Sequence, residues 1–250
     1  MPKIIISLTS FPARINIVPK VVKRLLRQRA RADLVALYLV EQQFPGHALP
    51  AELTALAADP RFQIRWKSGD LRGYDKLIPA LSDFPDDIII TFDDDQKYAR
   101  SVLGKLLRAH RRYPRCVICN RARLMRYPER YKNWPILRGL RRLRHLAPAF
   151  DIVPTGIGGV LYPPRSLMRT DVLRDLAPTT DDLWFWTMAV RNGTKIKQTW
   201  NGTWRPHDFA DSQTAGTLRF ENVQHGADGN DTAMKKLVEN YGLKLSDNLV

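Results

Sequence analysis

The sequence predicts an α/β domain whose open, mostly parallel sheet is flanked by helices. Three observations carry that prediction. Between Lys3 and Asp95, short apolar runs alternate with stretches of helical periodicity, the pattern of parallel strands joined by crossover helices. The apolar run Ile88 to Phe92 leads directly into Asp93-Asp94-Asp95, and the carboxyl ends of strands are where open α/β sheets gather ligands. A length of 250 residues at 44% hydrophobic content suffices for one large core or two small ones, so one domain spanning 1–250 is expected.

Each element follows from its own pattern. Lys3 to Leu8 is apolar and stops at Thr9, Ser10, Phe11 and Pro12, as a buried strand followed by a loop does. Val18, Val21, Val22, Leu25 and Leu26 recur at helical spacing, which predicts a helix from Val18 to Gln28. Leu34 to Val40 reads as a strand and Leu53 to Ala58 as a short helix. Phe62 to Trp66 is a strand leading to Ser68, Gly69 and Asp70. Lys76 to Leu81 reads as helical although Pro79 interrupts it, and Asp87 to Phe92 is extended and strongly apolar. A helix over Ser101 to His110 and a strand at Cys116 to Cys119 follow.

The character then changes. Arg121 to Arg144 is dense in Arg, Tyr, Trp and Pro with little apolar periodicity, so the region 121–146 reads as an exposed, partly mobile basic insertion. Apolar order returns at Phe150 to Val153. Gly156, Gly158 and Gly159 follow, permitting unusual backbone angles and close ligand approach. Their spacing does not fit G-x-G-x-x-G, so a dinucleotide fingerprint is excluded. Helices are expected over Asp182 to Asn192 and Asp231 to Tyr241, with Asp181 and Asp231 as N-caps and Gly242 as a stop.

Composition narrows the classes. Forty Lys+Arg against 25 Asp+Glu leave a formal charge of +15 and a pI near 10.1, a balance that attracts polyanions. No apolar run approaches the roughly 20 residues that cross a bilayer, and no secretory signal pattern opens the chain. A cytoplasmic protein is expected. Cys116 and Cys119 form a lone C-x-x-C, without the second pair of a zinc site, and read as reduced structural thiols.

Three adjacent carboxylates after a buried strand repel one another unless a cation sits among them. Their hard oxygens suit Mg²⁺ or Mn²⁺, whose natural companion is a diphosphate. A divalent-metal phosphohydrolase or nuclease would use the same cluster. An aspartyl-nucleophile phosphatase fits less well, because Gln96-Lys97 stands where such enzymes carry Thr or Val.

Five strings in order carry a resemblance: IIISLTSFPAR (Ile4 to Arg14), DLRGYDKLIPAL (Asp70 to Leu81), FPDDIIITFDDD (Phe84 to Asp95), TGIGGVLYPP (Thr155 to Pro164) and APTTDDLWFW (Ala177 to Trp186). Together they look like bacterial GT-A-fold glycosyltransferases of capsule or lipopolysaccharide synthesis. That resemblance implies a Rossmann-like GT-A domain, its donor half near 1–100 and its acceptor half near 101–250. It implies a donor of the nucleotide-diphosphate-sugar type, UDP-linked by expectation. Thr9, Ser10 and Arg14 would then meet the nucleoside, Asp70 the base or ribose, and Lys76 the diphosphate. Asp93 and Asp95 match the D-x-D that holds Mn²⁺ or Mg²⁺, with Asp94 nearer the ribose.

Asp182 resembles the acidic residue that takes the acceptor proton in inverting enzymes of this group, with Asp181 beside it. Either residue could instead serve the helix start, where acidic side chains are favoured. Trp184 and Trp186 could face a sugar ring or fill the core. His207 is the candidate third metal ligand and His225 the alternative, while Asn222, Asn230 and Asp231 could close over the donor. Basic clusters at Lys20, Lys23, Arg24, Arg27, Arg29 and Arg31 and at Arg138, Arg141, Arg142 and Arg144 fit an anionic membrane surface or a polyprenyl-diphosphate-linked saccharide acceptor. Leu137, Leu140, Leu143 and Leu146 would then form an interfacial helix on the inner face of the membrane. Nucleic-acid binding is the competing reading, from basic charge interleaved with Tyr127, Tyr131 and Trp134. The acidic cluster disfavours it.

Overall fold

Ile5 and Ile6 point to opposite faces of the first strand and so tie it to two apolar cores at once. The computed structural model describes residues 2–140, 145–168, 175–200, 207–209 and 229–243. Its strands are β1 (Ile4–Thr9), β2 (Leu34–Val40), β3 (Phe62–Lys67), β4 (Ile88–Thr91), β5 (Val117–Cys119), β6 (Ala122–Leu124), β7 (Ile152–Pro154), β8 (Val160–Tyr162) and β9 (Ile196–Gln198). The helices are α1 (Val18–Leu26), α2 (Ala51–Leu56), α3 (Ile78–Asp83), α4 (Val102–Arg112), α5 (Asp181–Arg191) and α6 (Gly229–Tyr241).

The main sheet runs β3-β2-β1-β4-β8-β5-β9, and β6 pairs with β7 alongside. β1 lies parallel to both β2 and β4, β2 is parallel to β3, and β5 is parallel to β9. β8 runs antiparallel between β4 and β5, so the sheet is mostly but not wholly parallel. One core, containing Leu8, Val22, Leu25 and Leu103, packs α1, α2 and α4 against one face. On the other face, Tyr38, Tyr74, Trp184, Trp186 and Leu237 join α5 and α6 to the sheet. The architecture is a single α/β domain of three layers.

Several expectations need correction. Pro79 does not interrupt a helix, because it stands in the first turn of α3, where its missing N–H costs nothing; Arg72–Lys76 forms a separate 3-10 turn before it. Within the described residues 121–140, the region is not simply an exposed insertion. β6 pairs with β7, Trp134 and Leu137 are each only 1% exposed, and the Trp134 indole donates to the Glu129 carbonyl at 2.9 Å. Irregularly spaced anchors (Ala122, Met125, Trp134, Leu137) do the packing, which leaves no period to read. Burial of Leu137 also breaks the proposed leucine stripe; Leu140 is exposed, and Arg141, Arg142, Leu143 and Arg144 lie outside the described residues.

Neither predicted aspartate cap is a cap. Thr180 precedes α5 and Asp181 lies within its first turn, facing Lys76. Asp231 also lies within α6, where it accepts from the Tyr131 amide at 2.5 Å. Cys116 and Cys119 are free, with Cys119 buried. No helix among the described residues is long and apolar enough to cross a membrane.

Candidate active site

The carboxyl ends of β1, β2, β3 and β4 open onto a cleft of about 610 Å³ that α5 and the 155–158 segment close from the far side. Thr9, Ser10, Arg14, Asp70, Lys76, Asp93, Asp94, Asp95, Asp181 and Asp182 all line it. With Thr155 and Ile157, which also line it, residues from five separate sequence strings meet in one place.

Arg14 organises one end. Its guanidinium lies 2.8 Å from Asp94 and 3.1 Å from Asp95, and the Ser10 hydroxyl donates to Asp94 at 2.5 Å. Burial raises the Asp94 carboxyl against the lowering effect of Arg14. Asp95 is pushed up to about 6, first by burial and then by the Asp93 charge, with Arg14 opposing. Asp93 is fixed through its backbone amide, which donates to the buried Tyr98 hydroxyl at 2.9 Å. Nearby, the Thr9 hydroxyl donates to the Tyr38 carbonyl, and Asp70 accepts from Gln43 at 3.0 Å and from the Arg72 amide at 2.7 Å.

Lys76 joins this cluster to α5. Its ammonium is 2.9 Å from Asp93 and 2.9 Å from Asp181. Burial alone would lower its pKa, but Asp181 and Asp93 outweigh that and hold it above the usual lysine value. The 3-10 turn that presents Lys76 is itself anchored by buried Asp75, which pairs with Lys67 at 2.9 Å and accepts from the Leu71 amide. Tyr74 ties the same turn to the Ala177 carbonyl ahead of α5.

Asp182 projects from the first turn of α5, and both its oxygens accept from the Gly156 amide, at 3.0 and 3.1 Å. Burial, then the neighbouring Asp181 charge, pushes its pKa up to about 7 against the pull of Lys76. Gly156 has to be glycine for this cluster to close. A Cβ there would lie 2.8 Å from Lys76 Nζ, 3.1 Å from Asp182 Oδ1 and 3.3 Å from Asp93 Oδ1.

Other expectations separate here. His207 is exposed and does not line the cleft; its carbonyl accepts from the Lys97 amide at 2.8 Å. The adjacent Asp208 faces the cleft instead, and the Gln96 side-chain amide donates to both Asp95, at 2.8 Å, and Asp208, at 2.6 Å. His225 and Asn222 lie outside the described residues. Asn230 lines the cleft, whereas Trp184 and Trp186 are core residues. Sequence reasoning missed Arg121 and Arg123, and singled out Tyr131 only for the nucleic-acid reading; the three form the wall beside Asp182. The i, i+2 spacing of the two arginines across Ala122 was a usable strand signal.

A divalent cation suits part of this donor set. Asp93 and Asp95 present hard oxygens at the strand end, and after burial it is the Asp93 charge that raises the Asp95 carboxyl most. No three acidic, His or Cys side chains converge on one point among the described residues.

No family model matches the sequence, and no curated protein matches it. Among solved structures, the mannosyltransferase PcManGT from Pyrobaculum calidifontis, in complex with GDP-Man and Mn²⁺, aligns with a TM-score of 0.53 at 14% identity, over 99% of this chain and 76% of that one. The fold is GT-A-like. A 4-diphosphocytidyl-2C-methyl-D-erythritol synthase aligns at a TM-score of 0.48 and 12% identity, covering 89% of this chain and 97% of that one. In GT-A-like terms, the β1 and β4 ends form the Arg14–Asp95 side of the cleft, while α5 and β6 form the Asp182 side.

Proposed function

We propose that the protein is a divalent-cation-dependent glycosyltransferase, moving a sugar from a nucleotide diphosphate donor to an acceptor hydroxyl with inversion. The observation that carries this reading is Lys76, whose ammonium links Asp93 at the strand end to Asp181 beside the candidate base, Asp182. Thr9, Ser10 and Asp70 would hold the nucleoside, Asp94 the ribose, and Arg14 and Lys76 the diphosphate. Asp93 and Asp95 would hold Mn²⁺ or Mg²⁺ together with the donor's phosphates. The bound cation would neutralise the departing nucleoside diphosphate.

Asp182 accepts the acceptor's hydroxyl proton as that oxygen bonds to the sugar's anomeric carbon. The bond from that carbon to the phosphate oxygen breaks, and its electron pair leaves with the diphosphate. A base poised near 7 matches proton transfer near neutral pH. Gly156 supports it by orienting both carboxylate oxygens. A saccharide or lipid-linked acceptor of surface-polysaccharide synthesis is the wider assignment, supported by the sequence resemblance. The +15 charge agrees with contact at an anionic membrane from the cytoplasmic side.

Thermal unfolding with nucleoside diphosphates tests this directly. Mn²⁺ and one nucleoside diphosphate together should stabilise the protein, by about 2.7 kcal/mol at 100 times the Kd. Each alone should do less, and Asp95→Ala should abolish the combined effect. Equal stabilisation with and without Mn²⁺ would contradict the cation's role.

A further inference from the structure

Arg121 and Arg123 line the cleft on the Asp182 side, half-buried, and neither forms an ion pair among the described residues. Arg121 donates to the Thr155 hydroxyl at 2.8 Å, and Thr155 directly precedes the Gly156 that holds Asp182. Arg123 donates to the Trp134 carbonyl at 2.6 Å and lies 5.0 Å from the Tyr131 ring centre. Each guanidinium has five N–H donors, so most of the donor capacity of this wall is left over after these bonds. Burial and the neighbouring Arg123 charge lower the pKa of Arg121, more than nearby Tyr131 and Asp182 raise it, so the two cations stand together only partly compensated.

Apart from Asp182, the carboxylates at the strand end and beside Lys76 are already matched elsewhere. Asp94 and Asp95 pair with Arg14, and Asp93 and Asp181 pair with Lys76. The donor's diphosphate belongs at that end on the reading above. An arginine pair next to the base has the fork geometry that recognises planar carboxylates and phosphates.

We propose that Arg121 and Arg123 form an anion subsite, so that the acceptor carries a carboxylate or phosphate close to the hydroxyl that attacks. This rests on Asp182 being the base of a glycosyl transfer. The attacking hydroxyl then lies at Asp182 Oδ while the acceptor's anionic group meets the N–H edges of the two guanidiniums, with Tyr131 packed beneath Arg123.

The test compares glucose, glucuronate and glucose 6-phosphate as acceptors, using whichever nucleotide sugar the protein hydrolyses. The wild type should prefer one anionic probe over glucose by about tenfold or more in kcat/KM, chiefly through KM. Preference for glucuronate assigns a carboxylate, and preference for glucose 6-phosphate assigns a phosphate. Arg121→Gln and Arg123→Gln should bring the ratio towards one, with Arg121→Lys retaining part of it.

Equal use of all three acceptors by the wild type would overturn the subsite. So would a preference that survives both Gln variants, or a loss of donor hydrolysis as large as the loss of transfer, which would assign the arginines to the donor. Calorimetry separates this from failure of the transferase reading. Arg121-dependent binding of an anionic probe over glucose, in a protein that turns over no nucleotide sugar, would uphold the anion site and contradict the transfer. Binding of all three probes with equal affinity would overturn the anion site.

Discussion

Both carboxylate oxygens of Asp182 hydrogen-bond to the Gly156 amide, at 3.0 and 3.1 Å. A single backbone N–H thus fixes the direction of the candidate base, and α5 supplies its depth. The same contact makes Asp182→Asn informative, since the Asn oxygen can still accept from Gly156 while the amide cannot take a proton. Transfer should fall by about 10²-fold or more, with circular dichroism unchanged. Wild-type turnover in Asp182→Asn would remove it as base.

The raised Asp182 pKa also sets a pH dependence whose sign is fixed. Its value moves from 3.8 to about 7 on folding, so the folded state keeps its proton longer than the unfolded chain does. Stability linked to this group is therefore present below about pH 4 and lost as pH rises through 7. Relative to wild type, Asp182→Asn should gain melting temperature progressively between pH 5 and pH 8. Activity should move the other way, with kcat/KM rising through an apparent pKa about 7 because the base works only when deprotonated. A flat profile from pH 5 to 9 would contradict both statements.

Two glycines should separate site from scaffold. At Gly159, φ is +83° and a Cβ would come within 2.3 Å of the buried Phe92 ring, so Gly159→Ala should cost about 3 kcal/mol or more in urea unfolding. Gly156 has no such backbone strain, and the nearest atom to its missing Cβ is the mobile end of Lys76. Gly156→Ala should stay within about 1.5 kcal/mol of wild type while losing most activity, because it wedges Lys76 away from Asp93.

Arg14 holds two buried carboxylates at once. Removing one partner of a buried charge group typically costs about 3 kcal/mol or more, because the other charge is left unpaired. Arg14→Ala should therefore unfold at clearly lower urea, whereas exposed Arg165→Ala, despite its pair with Asp86, should change almost nothing.

How far the sequence could be read depended on element length and on pattern. β1, β2 and β4 are covered on both faces and appear as continuous apolar runs, whereas the edge strand β3 shows alternation; all four were legible with boundaries off by a residue or two. β6, β8 and β9 have three residues each, too few for any periodicity to emerge. The aspartate triplet stood out because it follows such a run directly. Arg121 and Arg123 did not, since they sit in an Arg-rich stretch that reads as solvated until β7 is seen to cover one side. His207 was picked as a metal candidate by residue type, and the structure places its neighbour Asp208, not His207, on the cleft wall.

Release of nucleoside diphosphate from a panel of nucleotide sugars, with and without Mn²⁺, tests the central claim most directly. The wild type should slowly hydrolyse one of them, only with the cation, while Asp95→Ala, still folded, should not. Absence of hydrolysis across the panel, together with strongly salt-dependent binding of DNA or RNA, would contradict the account.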